Sequence, residues 1–379
     1  MSWDTPLFKI HWTDEDVKNI ADVISSGMNW AIGPFVEEFE RMIHTYLGTT
    51  YAVVFNSGTS ALHAALLASE VGISDEVIVP SFGFIAAANA PLYVGAKPVF
   101  ADIEEETMGL DPEDVKKKIG PNTKAIIPIH YGGCPCRIEE LREIAEDHKL
   151  ILIEDAAEAF GAKLRSKKVG TFGSCGVLSF CQNKIITTGE GGGIVTNSKE
   201  VYNKLRLLRS HGRDDTAGEY FNSVGLENYK TLGYNFRMAN ILAALGVSQL
   251  KRADEIIDER RRRAAYYDST LKCLSGRIAV PKQPMDCLHV YQLYTVRVDA
   301  NIRSNLQTEL SKRGIMTKVY FSPVHLSSFY RSLGHHKEEL PVTERVGKEV
   351  LSLPMYVSLT NLEIDRIATC VCETVEGVS

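Results

Sequence analysis

The 379-residue sequence predicts an α/β protein: a large, mainly parallel seven-stranded sheet domain, then a smaller C-terminal α+β domain. Three observations predict it. From residue 50 onward, short Val- and Ile-rich runs bounded by Gly, Pro or Asp recur along the chain, as strands buried on both faces do. Helix-like segments separate them, and that alternation calls for crossover connections and hence parallel strands. Near residue 237 the texture changes to long charged helices and isolated strands, so the expected division is 1–250 and 251–379.

Each element follows from its residues. Tyr51–Asn56, Glu76–Phe82, Lys97–Ile103, Thr123–His130 and Leu150–Glu154 read as buried strands, and Gly176–Cys181 with Gly193–Thr196 complete the seven. Ser60–Val71 and Arg137–His148 read as helices between them. Before the first strand, Thr13–Ser25 reads as a helix whose Thr13 and Asp16 resemble a capping box. Met238–Leu250 is rich in Ala and Leu, and Lys251 to Leu274 is long, charged and helical in pattern. His289–Val298 and Thr317–Phe321 are expected strands with the helix Asn301–Arg313 between them, and two helices end the chain.

Composition excludes several classes. With 44% apolar and 24% charged residues the chain is neither disordered nor a disulfide-stapled miniprotein. No apolar run approaches the ~20 residues of a membrane helix. The start, MSWDTPLFKIHW, lacks a basic-then-apolar leader, so a cytoplasmic protein is expected. A net charge of -6 gives no electrostatic reason to bind nucleic acid. The basic run Arg260 to Arg263 has acidic neighbours and reads as a solvated helix face. Eight cysteines without a leader read as reduced thiols, and Cys134-Pro-Cys136 and Cys370-Val-Cys372 are too short for a four-ligand metal site, so no metal is expected.

Three constellations carry chemistry. Asn56-Ser57-Gly58-Thr59-Ser60 lies between a strand and a helix, where backbone N–H groups and the helix dipole favour an anion such as phosphate; an ordinary capped turn has the same look. In Ile151-Leu-Ile-Glu-Asp155-Ala-Ala-Glu158, a carboxylate ends a buried strand, the edge where open α/β sheets bind ligands; it could pair with a protonated ring nitrogen or cap the next turn. Lys184 sits among apolar and small residues before Gly189-Glu-Gly-Gly-Gly193. A half-buried lysine there suits Schiff-base chemistry, and a surface lysine is the plain alternative. The glycines open a strand instead of a helix, so they are no dinucleotide fingerprint.

A phosphate turn, an Asp for a ring nitrogen and a lysine 29 residues later form the set that holds pyridoxal phosphate. With them run Gly33-Pro34-Phe35-Val36-Glu37-Glu38-Phe39-Glu40, Pro80-Ser-Phe-Gly-Phe84, Gly233-Tyr-Asn235-Phe-Arg-Met and His289-Val-Tyr. In these motifs the chain resembles, over nearly its whole length, the DegT/DnrJ/EryC1/StrS sugar aminotransferases of the fold-type-I pyridoxal-phosphate enzymes.

The resemblance implies specific roles. Lys184 would form the Schiff base with pyridoxal 5'-phosphate and shuttle the proton, leaving pyridoxamine phosphate between half-reactions. Asp155 would keep the pyridine nitrogen protonated, and Gly58, Thr59 and Ser179 would hold the phosphate. Phe84 would stack on the ring, and Glu158 would lie near its phenolic oxygen, where the family commonly has Gln. Asn235 would cross to the neighbouring site of a homodimer. The chain departs from the family at Glu158-Ala159-Phe160, often Gln-Ala-His, and at Gln292, often His. Glu158 with an apolar residue 160 is similar to the perosamine synthases and related C4 aminotransferases. The expected reaction therefore moves the amino group of glutamate to C4 of a nucleotide-linked 4-keto-6-deoxy sugar. Amination at C3 or of a keto-cyclitol, and a non-catalytic regulator on the same scaffold, are the alternatives. Arg237, His211, Arg213, Lys318 and His325 are candidates to bind the anionic substrates.

Overall fold

The computed structural model describes residues 3–213 and 228–377. Strands β1 (Tyr51–Phe55), β2 (Glu76–Pro80), β3 (Lys97–Ala101), β4 (Thr123–Ile126), β5 (Ile151–Asp155), β6 (Cys175–Ser179) and β7 (Gly192–Thr196) form one sheet in the order β1-β7-β6-β5-β4-β2-β3. β7 runs antiparallel to both of its neighbours, and the other pairings in this sheet are parallel. Alternate side chains point to opposite faces. Val54, Ile78, Ile126 and Leu152 enter one core with helices Pro34–Leu47, Ile138–Asp147 and Asn240–Lys251. Val53, Val77, Val79, Ala125 and Ile153 enter the other with helices Gly58–Ala68 and Ala86–Tyr93. Helices cover both faces, as the sequence predicts.

A third core gathers around the three-stranded sheet of Ile278–Ala279, Tyr294–Val298 and Val350–Leu353, all antiparallel. Val350–Leu353 was not foreseen, because its four residues follow directly on helix Pro341–Glu349 and carry no turn signal. Thr317–Phe321, expected as a strand, makes only an isolated bridge, Lys318 to Ser352. The long helix Ala253–Leu271 joins the bodies: Ile256 and Ile257 lie in the first core, Ala264 and Tyr267 in the third. Arg260, midway between these pairs, corrects the expectation of a solvated basic face, since it is 5% exposed.

The N-terminal helix Asp14–Ser25 is anchored by one acid. Asp16 accepts the Thr13 N–H at 2.9 Å, which is the returning half of a capping box. It also accepts from Ser248 Oγ at 2.5 Å, Gln249 Nε2 at 3.1 Å and Arg252 Nη2 at 2.7 Å, all on or next to helix Asn240–Lys251. Burial raises the pKa of this carboxyl, but the donors from Ser248, Thr13 and Arg252 outweigh it and hold the group below its usual value. Removing one partner leaves a buried charge uncompensated. Asp16→Ala should therefore lower unfolding free energy by roughly 3–5 kcal/mol in a urea melt, and Asp16→Ala/Arg252→Met by less than the two single losses added together.

Candidate active site

The C-terminal ends of β1, β5 and β6 and the start of β7 meet on one edge of the sheet, the edge where ligands bind in open α/β folds. Asp155 is the last residue of β5 and Ser179 the last of β6. The turn after β1 delivers Gly58 to the same place: a Cβ on Gly58 would stand 3.2 Å from Cβ of Ser179. Gly192 lies under the turn, where a Cβ would meet the Ser57 carbonyl oxygen at 2.3 Å. Both positions admit only glycine without a shift of backbone or of Ser179.

Ser57 caps helix Gly58–Ala68, its Oγ accepting the Ser60 N–H at 3.1 Å. The N–H groups of Gly58 and Thr59, in the first turn, have no acceptor within the helix. With the dipole and the neighbouring Ser179 hydroxyl they make a small cradle for an anion.

Lys184 and Glu158 face each other across the loop ends, Nζ to Oε1 at 3.4 Å, with side chains 13% and 9% exposed. The other oxygen of Glu158 accepts the Gly132 N–H at 2.9 Å, so a backbone donor fixes the carboxylate toward the lysine. Asp155 is buried and accepts the Ala157 N–H at 3.1 Å. Burial pushes its pKa up to about 6, against the pull of the Ala157 N–H and the Lys184 cation. The adjacent Glu154 points to the opposite face. It is fully buried and takes N–H groups of Gly170, Phe172 and Gly173 and Nε2 of His130.

The structure thus brings Asp155, Glu158 and Lys184 together, and Gly58 and Thr59 beside Ser179. Phe84 is 61% exposed, its ring 6.3 Å from Phe321. Asn235 is exposed beside the turn, and its carbonyl accepts from Asn56 Nδ2 at 3.3 Å. Phe160 is a core residue, stacked on Tyr46 at 5.2 Å, so this departure from the family pattern does not face a ligand. Among the proposed substrate cations, His325 is fully buried and bonded through Nδ1 to Ser81 Oγ at 2.6 Å. Arg213 is buried as well, whereas Lys318 is exposed above the Tyr320 ring at 4.8 Å. Sequence reasoning missed Tyr320. Its phenol is half-buried, and its pKa is raised by burial and by the charge of Glu158, which places it beside the cluster. The paired glycines 132 and 133 were the available signal for the donor to Glu158.

These residues fit pyridoxal phosphate: an amine for its aldehyde, a buried acid short of donors for its ring nitrogen, and a glycine-floored cradle for its phosphate.

Comparison with known proteins agrees. Residues 11–372 match the DegT/DnrJ/EryC1/StrS aminotransferase family. The chain is 41% identical over 340 residues to GDP-perosamine synthase of Caulobacter vibrioides, covering 89% of each chain. It is 35% identical to the UDP-N-acetyl-3-dehydro-alpha-D-glucosamine 3-aminotransferase of Acidithiobacillus ferrooxidans, covering 96% of this chain and 95% of that one. The crystal structure of S. venezuelae DesV in complex with a ketimine intermediate superposes with a TM-score of 0.90 at 34% identity, covering 99% of both. The chain belongs to the DegT/DnrJ/EryC1/StrS aminotransferase family and is a pyridoxal-phosphate-dependent aminotransferase.

Proposed function

We propose that this sugar aminotransferase takes the amino group of glutamate and delivers it to C4 of a nucleotide-linked 4-keto-6-deoxy sugar. The observation that carries the reading is the Lys184–Glu158 pair beside buried Asp155, in a chain 41% identical to a GDP-perosamine synthase. Amination at C3 is the second reading, favoured by the likeness to a 3-aminotransferase.

Bound pyridoxal phosphate supplies an electron sink and the carbonyl that carries the amino group between donor and acceptor. The chain supplies the rest. Lys184 Nζ takes the proton from the donor's α-carbon and, in the return half, gives one to the sugar carbon. Glu158 holds that nitrogen in place while it is free. Asp155 would accept from a cationic ring N–H, whose adjacent positive charge would hold the carboxylate ionised. The N–H groups of Gly58 and Thr59 with the Ser179 hydroxyl hold the phosphate, and Phe84 covers a ring face.

The same reading makes the active unit a homodimer, in which Asn235 reaches a second copy's site. Its exposure supports this, as do exposed Trp12, Met28 and Trp30 on the N-terminal segment. Lys318, Arg237 and His211 are the candidates to meet the carboxylates of glutamate and the diphosphate, since Arg213, like His325, is buried. Among the described residues no helix is long and apolar enough to cross a membrane. We place the reaction in the cytoplasm, with the eight cysteines as free thiols.

Two measurements test this. Purified protein loaded with cofactor should show a yellow absorbance band that glutamate bleaches and a 4-keto-6-deoxy sugar nucleotide restores, with NMR of the product placing nitrogen on C4. In Lys184→Ala glutamate should not bleach the bound cofactor; bleaching in that variant, or a product aminated at C3, would overturn the lysine assignment or the C4 assignment respectively.

The second concerns Asp155. The usual aspartate value is 3.8 and the folded value about 6. Between them the folded cofactor-free chain keeps a proton that the unfolded chain has lost, so stability falls as pH rises through this window. Asp155→Asn should then stabilise the cofactor-free protein at pH 8 by about 1–3 kcal/mol and change little at pH 4, while cutting turnover by roughly 10²-fold or more.

A further inference from the structure

Gln292 lies in the segment between Cys287–Leu288 and the strand Tyr294–Val298 and is 3% exposed. Its Nε2 donates to the carbonyl oxygen of Asn183 at 2.5 Å, in the peptide bond that enters Lys184. A carbonyl only accepts, so the amide is fixed in this orientation. Its Oε1 is thereby left buried with no hydrogen-bond partner among the described residues.

The backbone of Gln292 is held in turn. Arg260 Nη2 donates to the Gln292 carbonyl at 2.7 Å and Arg260 Nε to the Tyr291 carbonyl at 2.9 Å. Burial pulls the Arg260 pKa down to about 10, so the guanidinium remains charged near neutral pH. Among the described residues no carboxylate lies within ion-pair distance of it. From behind the site, the order of contacts is Arg260, Gln292, Asn183, Lys184.

We propose that Gln292, held by Arg260, is a positioning residue for Lys184: it fixes the backbone from which the lysine reaches Glu158 and Asp155. The proposal deepens the functional reading above and rests on Lys184 being the cofactor lysine. Packing alone does not account for the residue. A leucine of similar size would fill the same space without a buried unpaired oxygen, and such an oxygen costs stability. The amide is a poor choice for the core and a good one for holding the Asn183 carbonyl. Because Arg260 sits where the long helix passes from one core to the other, the brace also ties the lysine loop to the placement of the C-terminal body.

The test uses the full chain as wild type, Gln292→Leu and Gln292→His, the last keeping a ring N–H donor. Hydrogen exchange of cofactor-free protein reads the loop through the Lys184 amide, which donates to the Cys181 carbonyl at 3.0 Å. In Gln292→Leu we expect exchange across residues 181–188 to quicken about tenfold, with Tm unchanged or raised. In the cofactor-loaded enzyme kcat should fall about tenfold or more, with KM for the sugar within about twofold. Gln292→His should recover both readouts to within about threefold. Wild-type exchange and kcat in Gln292→Leu would overturn the proposal. So would a fall in Tm with exchange quickened over the whole chain and no recovery in Gln292→His. If wild type never binds cofactor through Lys184, the functional reading fails, whereas the exchange data still decide the brace.

Discussion

The site depends on two successive carboxylates at the end of β5 being treated differently. In a strand, neighbours face opposite sides, so Glu154 and Asp155 enter different surroundings by geometry alone. Glu154 receives three backbone N–H groups and His130, and these contacts pin the loop at 170–173 that leads into β6. Since β6 ends in Ser179 and the Lys184 loop follows, Glu154 fixes where both arrive. Asp155 receives one backbone donor and is otherwise left short. Burial without further donors leaves its carboxylate less stabilised than that of an ordinary aspartate, so a cationic donor beside it is favoured. One strand end therefore holds a richly hydrogen-bonded acid and a sparsely hydrogen-bonded acid side by side.

Much of this was legible in the sequence. All seven strands of the large sheet lie where apolar runs put them, because strands covered on both faces need no alternation to be seen. The ends were drawn too long for Glu76–Phe82, Lys97–Ile103, Thr123–His130 and Gly176–Cys181, whose last residues lie beyond the ladder. The placing of Asp155 at a strand end, of the Gly58 turn after a strand and of Lys184 between two strands was readable from the apolar runs beside them. Arg260 was not. Four consecutive arginines on an acidic helix look alike until tertiary contacts separate them, and here Arg260 turns inward to two carbonyls while Arg262 pairs with Glu259 on the surface. Phe160 failed for the same reason. Its place in the motif sits near the site, but its side chain belongs to Tyr46 and the core.

The glycines show the same dependence on distant partners. Gly58 and Gly192 look like loop residues, yet each is held to hydrogen at Cβ by a specific neighbour, Ser179 in one case and the Ser57 carbonyl in the other. Gly246 in helix Asn240–Lys251 is the equivalent in the core, where a Cβ would meet the Phe39 ring at 2.6 Å. Glycine inside a helix costs about 1 kcal/mol relative to alanine, a cost that close packing against Phe39 offsets. The turn at Gly58 and the helix packing thus use one device, the absence of a Cβ where two elements must nearly touch.

The same geometry separates what the fold determines from what it leaves to its walls. Asp155 and the Gly58 turn hang from the ends of paired strands and Lys184 from the loop that joins two of them, and nothing in them distinguishes one keto sugar from another. The surfaces that could do so, Lys318 to Phe321 and Phe84, come from loops or from a segment with a single bridge to the C-terminal sheet. A group that handles a proton must stay within tenths of an ångström of its partner, so it belongs on rigid strand ends. A group that selects a sugar can come from a loop and change without disturbing the sheet. That division is consistent with one relative named a GDP-perosamine synthase and another named a 3-aminotransferase both aligning with this chain over most of its length.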